Sequence, residues 1–147
     1  MSLSNVFNIA GTGMSAQTTR LNTIASNIAN AETVSSSVGE TYRARHPVFA
    51  TMLNQAQNGG SASLFDEQGE AGTGVQVLGI VEDQSNLEAR YEPNHPAADK
   101  DGYVYYPNVN VVEEMADMIS ASRAFQTNAD IMNTAKQMMQ KVLTLGQ

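Results

Sequence analysis

The sequence predicts a mainly α-helical protein with a small β insert, in which long N- and C-terminal helices pair as a coiled-coil-like hairpin with an antiparallel β region between them. Both ends of the chain predict helices, because apolar residues recur there at alternating spacings of three and four. The middle predicts strands, because short segments rich in β-branched and aromatic residues alternate with turn residues. We therefore divide the chain into residues 1–31, 32–110 and 111–147.

The N-terminal helix is predicted from an apolar stripe that no proline interrupts. Its members are Leu3, Phe7, Ala10, Met14, Gln17, Leu21, Ile24, Ile28 and Ala31. A repeat of about 3.5 residues keeps one edge of a helix against a partner helix. Gly11 and Gly13 weaken this helix locally, each by about 1 kcal/mol relative to alanine.

The C-terminal helix carries two such stripes, which predicts two neighbours for it. The first consists of Met115, Met118, Ser122, Phe125, Ala129, Met132, Lys136, Met139 and Leu143. The second consists of Ala121, Ala124, Asn128, Ile131, Ala135, Met138, Val142 and Leu145. Asn110 is the predicted N-cap, with Glu113 completing a capping box, and Gly146 is the predicted stop.

The middle of the chain predicts three strands of one small antiparallel sheet, at Val75–Asp83, Leu87–Glu92 and Tyr103–Val109. Thr41–Ala50 adds an extended segment, because Pro47 disfavours a helical conformation at the residue before it. Asn58–Gly74 is rich in glycine and lacks periodicity, which predicts a loop.

Composition excludes several classes of function. A net charge of −7 argues against a nucleic-acid partner, because few bases are present to neutralise phosphates. The absence of cysteine removes disulfides and thiol catalysis. We expect no cleaved secretory signal, since the first residues lack a basic region and a continuous apolar region. We also expect no membrane insertion, because the apolar runs are only a few residues long.

The sequence predicts no enzyme, no cofactor and no metal site. His46 and His95 each precede a proline and lack a neighbour at metal-ligand spacing. Asp99–Gly102 lacks the further oxygen ligands of a calcium loop. The glycines between residues 69 and 79 lack the Lys-Ser/Thr pair of a phosphate-binding loop.

The N-terminal helix is short of charge, since Arg20 is the one charged side chain in residues 1–31. The faces beside its apolar stripe carry Thr12, Ser15, Thr18, Thr19, Asn22, Thr23, Ser26, Asn27 and Asn30. Such groups form hydrogen bonds across an interface without the desolvation cost of a charge. We therefore expect other protein helices on several sides of this helix.

Four segments resemble the bacterial flagellar axial proteins, and among them the basal-body rod proteins. They are ASNIANAET at 25–33, YRARHPVF at 42–49, DGYVYYPNVNVVEEMADMISASRAFQTNADIMNTAK at 101–136 and VLTLGQ at 142–147. The resemblance implies a structural subunit of the proximal rod, in the periplasm, that assembles helically, encloses the export channel and transmits torque. It implies type III export without a cleaved signal peptide. The implied partners are other copies of the chain, other proximal and distal rod proteins, and the rod–export-gate adaptor.

The predicted assembly interface follows the stripes of the two helices. On the N-terminal helix its residues are Leu3, Phe7, Met14, Leu21, Ile24 and Ile28. On the C-terminal helix they are Met115, Met118, Phe125, Met132, Met139 and Leu143. Methionine is adaptable, which suits subunits that meet slightly different neighbours. Asn27 and Asn30 are predicted to form hydrogen bonds between subunits.

Three alternatives remain open at the level of sequence. Another axial subunit, of the rod or hook, would share the SNIAN segment but not the YYPNVNVVEEM run. A self-contained coiled-coil adaptor or secreted chaperone-like factor would have folded termini as a monomer and form a small defined oligomer. An enzyme would need a set of acid, base and nucleophile that the sequence does not bring together.

Overall fold

Along the chain, the described residues form one long helix, then four short strands, then a second long helix. The computed structural model describes residues 3–52 and 74–145. Its elements are α1 (Leu3–Asn30), β1 (Arg45–Met52), β2 (Gly74–Glu82), β3 (Glu88–Tyr91), β4 (Tyr103–Tyr106) and α2 (Val111–Leu145). Two terminal helices with a small antiparallel β region between them are therefore confirmed. The predicted loop Asn58–Gly74 lies outside the described residues, except for Gly74.

The helices α1 and α2 pack against each other in antiparallel orientation. Asn27 of α1 bonds Glu114 near the start of α2, whereas Gly13 lies beside the side chain of Asn128 further along. A Cβ atom at Gly13 would lie 3.1 Å from the amide of Asn128. Glycine at this position therefore lets the two helices approach closely. This explains why the helix contains a residue here that would weaken it in isolation.

Asn110 caps the start of α2. Its Oδ1 accepts hydrogen bonds from the backbone N–H groups of Val112 at 3.1 Å and Glu113 at 3.5 Å. These N–H groups have no partner inside the helix, so the cap satisfies them and fixes where the helix begins. The predicted N-cap is confirmed.

The strands form two separate sheets. β1 pairs with β2, from Arg45 opposite Glu82 to Met52 opposite Gly74, and β3 pairs with β4. The prediction of one three-stranded sheet was wrong. Its physical reason is that the segment predicted only as extended becomes β1 and takes β2 as its hydrogen-bonding partner.

The β1–β2 hairpin lies along α1. At one end Thr12 Oγ1 accepts a hydrogen bond from the N–H of Val75 at 3.2 Å. At the other end Asn27 Oδ1 accepts one from the N–H of Arg45 at 3.0 Å. The two anchors are separated by about 23 Å of helix, and the strands between them have about the same length. The hairpin thus covers roughly half of α1 on one side.

The connection from β2 to β3 is joined to the segment before α2 by Asn108. This side chain accepts a hydrogen bond from the N–H of Ala44 at 2.9 Å and donates one to Ser85 Oγ at 2.7 Å. The N–H and hydroxyl of Ser85 bond the carboxylate of Asp83, which lowers the pKa of Asp83. Asn108 therefore connects the two sheets to the start of α2.

Small residues dominate the buried part of the helix pair. The buried apolar residues of the two helices are Ala10, Ala16, Ile24, Ala121 and Ala135. Val104 in β4 is the largest fully buried apolar side chain among the described residues. Many of the larger apolar side chains remain on the surface, and α2 carries most of them.

Candidate assembly surface

Asn27 is completely buried where α1, β1 and α2 meet. Its Nδ2 donates hydrogen bonds to the carbonyl of Arg45 at 2.9 Å and to Glu114 Oε1 at 2.8 Å. Its Oδ1 accepts one from the N–H of Arg45 at 3.0 Å and one from the Tyr42 hydroxyl at 2.9 Å. All four bonds lie within the chain. In this structure the side chain of Asn27 thus joins α1, β1 and α2 of its own chain, and its predicted role between subunits stays a prediction.

Asn30 lies one turn further along α1 and is only half-buried. Its Nδ2 donates a hydrogen bond to the carbonyl of Ser26 at 2.8 Å, so this bond also stays within α1. Because this amide is partly exposed, it can still bond another subunit, and the hydrogen bond between subunits stays a prediction.

Sequence reasoning missed Glu114, which is 6% exposed and accepts the hydrogen bond from Asn27. An acid in the first turn of a helix is ordinarily explained by its interaction with the helix dipole. A usable signal was present, because Glu114 precedes Met118 and Ala121 at spacings of four and three. A carboxylate at an apolar stripe position indicates a buried polar contact rather than an exposed one.

The predicted stripe of α1 lies on its covered face. Ile24 is buried, and Phe7, Met14, Leu21 and Ile28 are half-buried. Leu3 begins α1, but its side chain is outside the described part of the structure.

The uncharged flanks of α1 divide into two sets. One set is covered by the chain itself, and Thr23 is buried while Thr12 bonds β2. The other set is exposed and consists of Ser15, Thr18 and Asn22, which lie with Asn8, Ala25 and Ala29 on one narrow exposed stripe. The expectation of other helices on several sides is thus corrected on one side, where the β1–β2 hairpin lies.

The face of α2 that turns toward α1 combines both predicted stripes. Its covered residues follow spacings of four and three and are Glu114, Met118, Ala121, Phe125, Asn128, Met132 and Ala135. Met118, Phe125 and Met132 come from the first stripe, and the alanines and Asn128 come from the second. The two predicted stripes are adjacent on the helix, and α1 covers the boundary between them.

Three of the predicted interface residues on α2 remain exposed. Met115, Met139 and Leu143 are 54%, 39% and 68% exposed. Each belongs to the first predicted stripe of α2. The structure does not bring these three side chains together with the stripe of α1.

The apolar residues of α2 that are more than half exposed form two groups near its ends, and the less exposed Val111, Ile131 and Met139 lie outside both groups. The N-terminal patch consists of Val112, Met115 and Ile119, and the C-terminal patch consists of Met138, Val142, Leu143 and Leu145. Exposure reaches 77% at Val112 and 86% at Leu145. Groups of large exposed apolar side chains mark surfaces that bind other proteins.

The C-terminal patch extends beyond the start of α1. Because Gly11 lies opposite Met132 in an antiparallel pair, Leu3 lies opposite a position near residue 140. About the last six residues of α2, or roughly 9 Å of helix, therefore extend past α1. The end of α2 is available to a neighbour.

Features of other site classes are missing from the described residues. Within residues 3–52 and 74–145, the structure brings together no group of His, Asp or Glu that could hold a metal ion. Over the same residues, neither helix has the combination of length and apolarity that crossing a membrane requires.

Family models match both helical ends of the chain. Residues 7–34 match a model described as flagella basal body rod protein. Residues 100–145 match a model described as the C-terminal part of the flagellar basal body rod FlgEFG proteins. These matches include most of α1 and all of α2.

Curated relatives match the chain over its full length. The flagellar basal-body rod protein FlgC of Salmonella typhimurium is 44% identical over 147 residues, which covers 100% of both chains. FlgC of Escherichia coli is 46% identical with the same coverage. The chain belongs to the FlgC family of flagellar basal-body rod proteins. FlgC of Borreliella burgdorferi is 40% identical over 100% of this chain and 99% of the relative.

Membership of the FlgC family gives the function of the chain in general terms. The chain is a structural rod subunit of the bacterial flagellum, with a role in motility and a location in the basal body. The family consists of structural rod proteins and is not an enzyme family. A rod protein assembles with other rod components.

Proposed function

We propose that the chain is a subunit of the proximal rod that assembles helically, encloses the export channel and transmits torque. In this assembly residues 1–31 and 111–147 form the inner tube, and residues 32–110 lie outside it. The observation that supports this arrangement most is the exposed apolar surface of α2 in the isolated chain. A stable monomer gains nothing from exposed side chains such as Val112 and Leu145, whereas an assembled subunit can bury them.

The helix pair supplies the stiffness that torque requires. We propose that α1 and α2 wind around each other as a coiled coil, which their alternating spacings of three and four support. The hairpin fixed along α1 and the four hydrogen bonds of Asn27 connect this pair to the β region. A torque applied to the helix pair would then be transmitted to the β region, and a torque applied to the β region would be transmitted to the helix pair.

The proposed partners are other copies of the chain, other proximal and distal rod proteins, and the rod–export-gate adaptor. The location is the periplasmic rod, reached by export without a cleaved signal peptide and without direct membrane insertion. The narrow exposed stripe of α1 supports packing against these partners, because Ser15, Thr18 and Asn22 carry no charge to desolvate.

Leu143→Asp tests this function. Leu143 is 68% exposed in the isolated chain, so we expect the free energy of unfolding to change by less than about 0.5 kcal/mol. Assembly would bury the new carboxylate without a partner, and we expect swimming in soft agar to be lost. The measurements are urea unfolding of the purified variant and motility of the bacterium that carries it.

Gln140→Asp is the matched control, because Gln140 is an exposed polar residue on the same turns of α2. We expect this variant to remain motile. Normal motility of Leu143→Asp, with intact rods in isolated basal bodies, would reject the C-terminal patch as an assembly surface.

A further inference from the structure

The helix pair makes two contacts that agree on one axial register. Gly13 lies against the amide of Asn128, and Asn27 bonds Glu114. The two residues of α1 are 14 positions apart, and so are the two residues of α2. Because the helices are antiparallel, equal spacings place both contacts in the same register, about 21 Å apart along the pair. A slip of one helix along the other would break both contacts at once.

A slip by seven residues is the main competing arrangement, because the apolar stripes repeat every seven residues and would stay in contact. In one direction this slip brings Arg20 opposite Glu114, which exchanges the hydrogen bond from Asn27 for an ion pair. The bond between Asn27 and Glu114 therefore does not by itself exclude the slipped register. The slip would move α2 by about 10 Å, and the end of α2 would extend about twice as far past α1.

The contact between Gly13 and Asn128 does distinguish the registers. A Cβ atom at position 13 would lie 3.1 Å from both Nδ2 and Oδ1 of Asn128, closer than ordinary van der Waals contact. The amide is held in place, because its Nδ2 donates a hydrogen bond to the carbonyl of Ala124 at 2.9 Å. A slip by seven residues would bring Val6 or Arg20 opposite this amide. Both carry a Cβ atom, so neither leaves room for the amide at the same separation of the helices.

We propose that Gly13 and Asn128 are positioning residues that fix the axial register of α1 on α2. The glycine leaves a space on α1, and the amide of α2 fills it at one place along the pair. After a slip Gly13 would face Ala121 or Ala135, whose methyl groups leave part of this space empty. The inference concerns the folded chain alone and does not depend on the proposed rod function. Its consequence is a fixed position of the end of α2 relative to α1.

Disulfide cross-linking within one chain reports the register, because the chain has no cysteine of its own. Gln17 lies one turn after Gly13, and Ala124 lies one turn before Asn128. The variant Gln17→Cys/Ala124→Cys therefore links the helices in the observed register. Ala10 lies seven residues before Gln17, so Ala10→Cys/Ala124→Cys links them in the slipped register. Mild oxidation of the purified protein and peptide mass mapping measure both links, and in the otherwise unchanged chain we expect the first alone.

Asn128→Ala, added to each cysteine pair, removes the amide that excludes the slip. We expect the link of the slipped register to appear, with at least a tenth of the yield of the observed register. Gln126→Ala is the matched control, since Gln126 is exposed on the same helix, and we expect it to give no slipped link. An Asn128→Ala chain that still forms the first link alone would overturn the proposal, because other contacts would then fix the register.

Gly13→Leu tests the other half of the contact. Leucine favours a helix more than glycine does, yet we expect the first link to form at least tenfold more slowly. Ser15→Leu, at an exposed position of α1, should leave its rate unchanged. The exchange Gly13→Leu/Asn128→Gly moves the space to α2, and we expect it to restore the first link. Restoration separates a fit between the two residues from a simple loss of folding, and an exchange that restores nothing would contradict the proposal.

Discussion

Asn27→Leu is expected to lower the free energy of unfolding by about 4 kcal/mol. Leucine has a similar volume but no polar atom. The carboxylate of Glu114 and the backbone N–H and carbonyl of Arg45 would then lose a hydrogen-bonding partner in a buried place. Each buried group left without a partner costs about 1–3 kcal/mol.

Urea unfolding of the two purified proteins measures this effect. Asn22→Leu is the matched control, because Asn22 is the same residue type in the same helix but is exposed. We expect its free energy of unfolding to stay within about 0.5 kcal/mol of the unchanged protein. Equal effects of the two substitutions would show that Asn27 does not hold the helices and β1 together.

Gly74→Ala is expected to lower the free energy of unfolding by about 3 kcal/mol. Gly74 begins β2 with a φ of +150°, a backbone conformation that residues with a side chain rarely adopt. An added Cβ atom would also overlap Thr12 Oγ1. β2 would have to move away from α1, and the hydrogen bond from the N–H of Val75 to Thr12 would be lost.

Gly79→Ala is the control for this substitution. Gly79 lies in the same strand, and a Cβ atom there would meet nothing within 4 Å. We expect urea unfolding to show little change for Gly79→Ala and a clear loss for Gly74→Ala. If both glycines tolerate alanine equally, the end of the hairpin is not held tightly against α1.

The helices could be predicted from sequence because their signal is local. Apolar spacings of three and four are complete within each end of the chain, and they located α1 and α2 to within a few residues. Which side of α2 faces α1 was not predictable in the same way. That choice depends on the close approach at Gly13 and on the bond between Asn27 and Glu114, which join residues far apart in sequence.

The sheet pairing and the bonds that Asn27 makes within the chain could not be predicted from sequence, for the same physical reason. Pro47 indicates an extended segment, but no local feature tells which strand pairs with it, and β2 follows only after residues 53–73. A small uncharged amide can bond another subunit or its own backbone. The fold brings the backbone of Arg45 beside Asn27, and no local feature of the sequence indicates this contact.

The central claim is that the exposed apolar end of α2 becomes buried when the subunit joins the rod. Thiol labelling of Val142→Cys tests it most directly, with one sample of purified chain, one of isolated basal bodies and one of basal bodies dissolved in urea. We predict rapid reaction with a maleimide in the first and third samples and strong protection in the second. Equal labelling of intact and dissolved basal bodies would contradict the claim. Protection of this thiol already in the purified chain would show that the chain itself covers the end of α2.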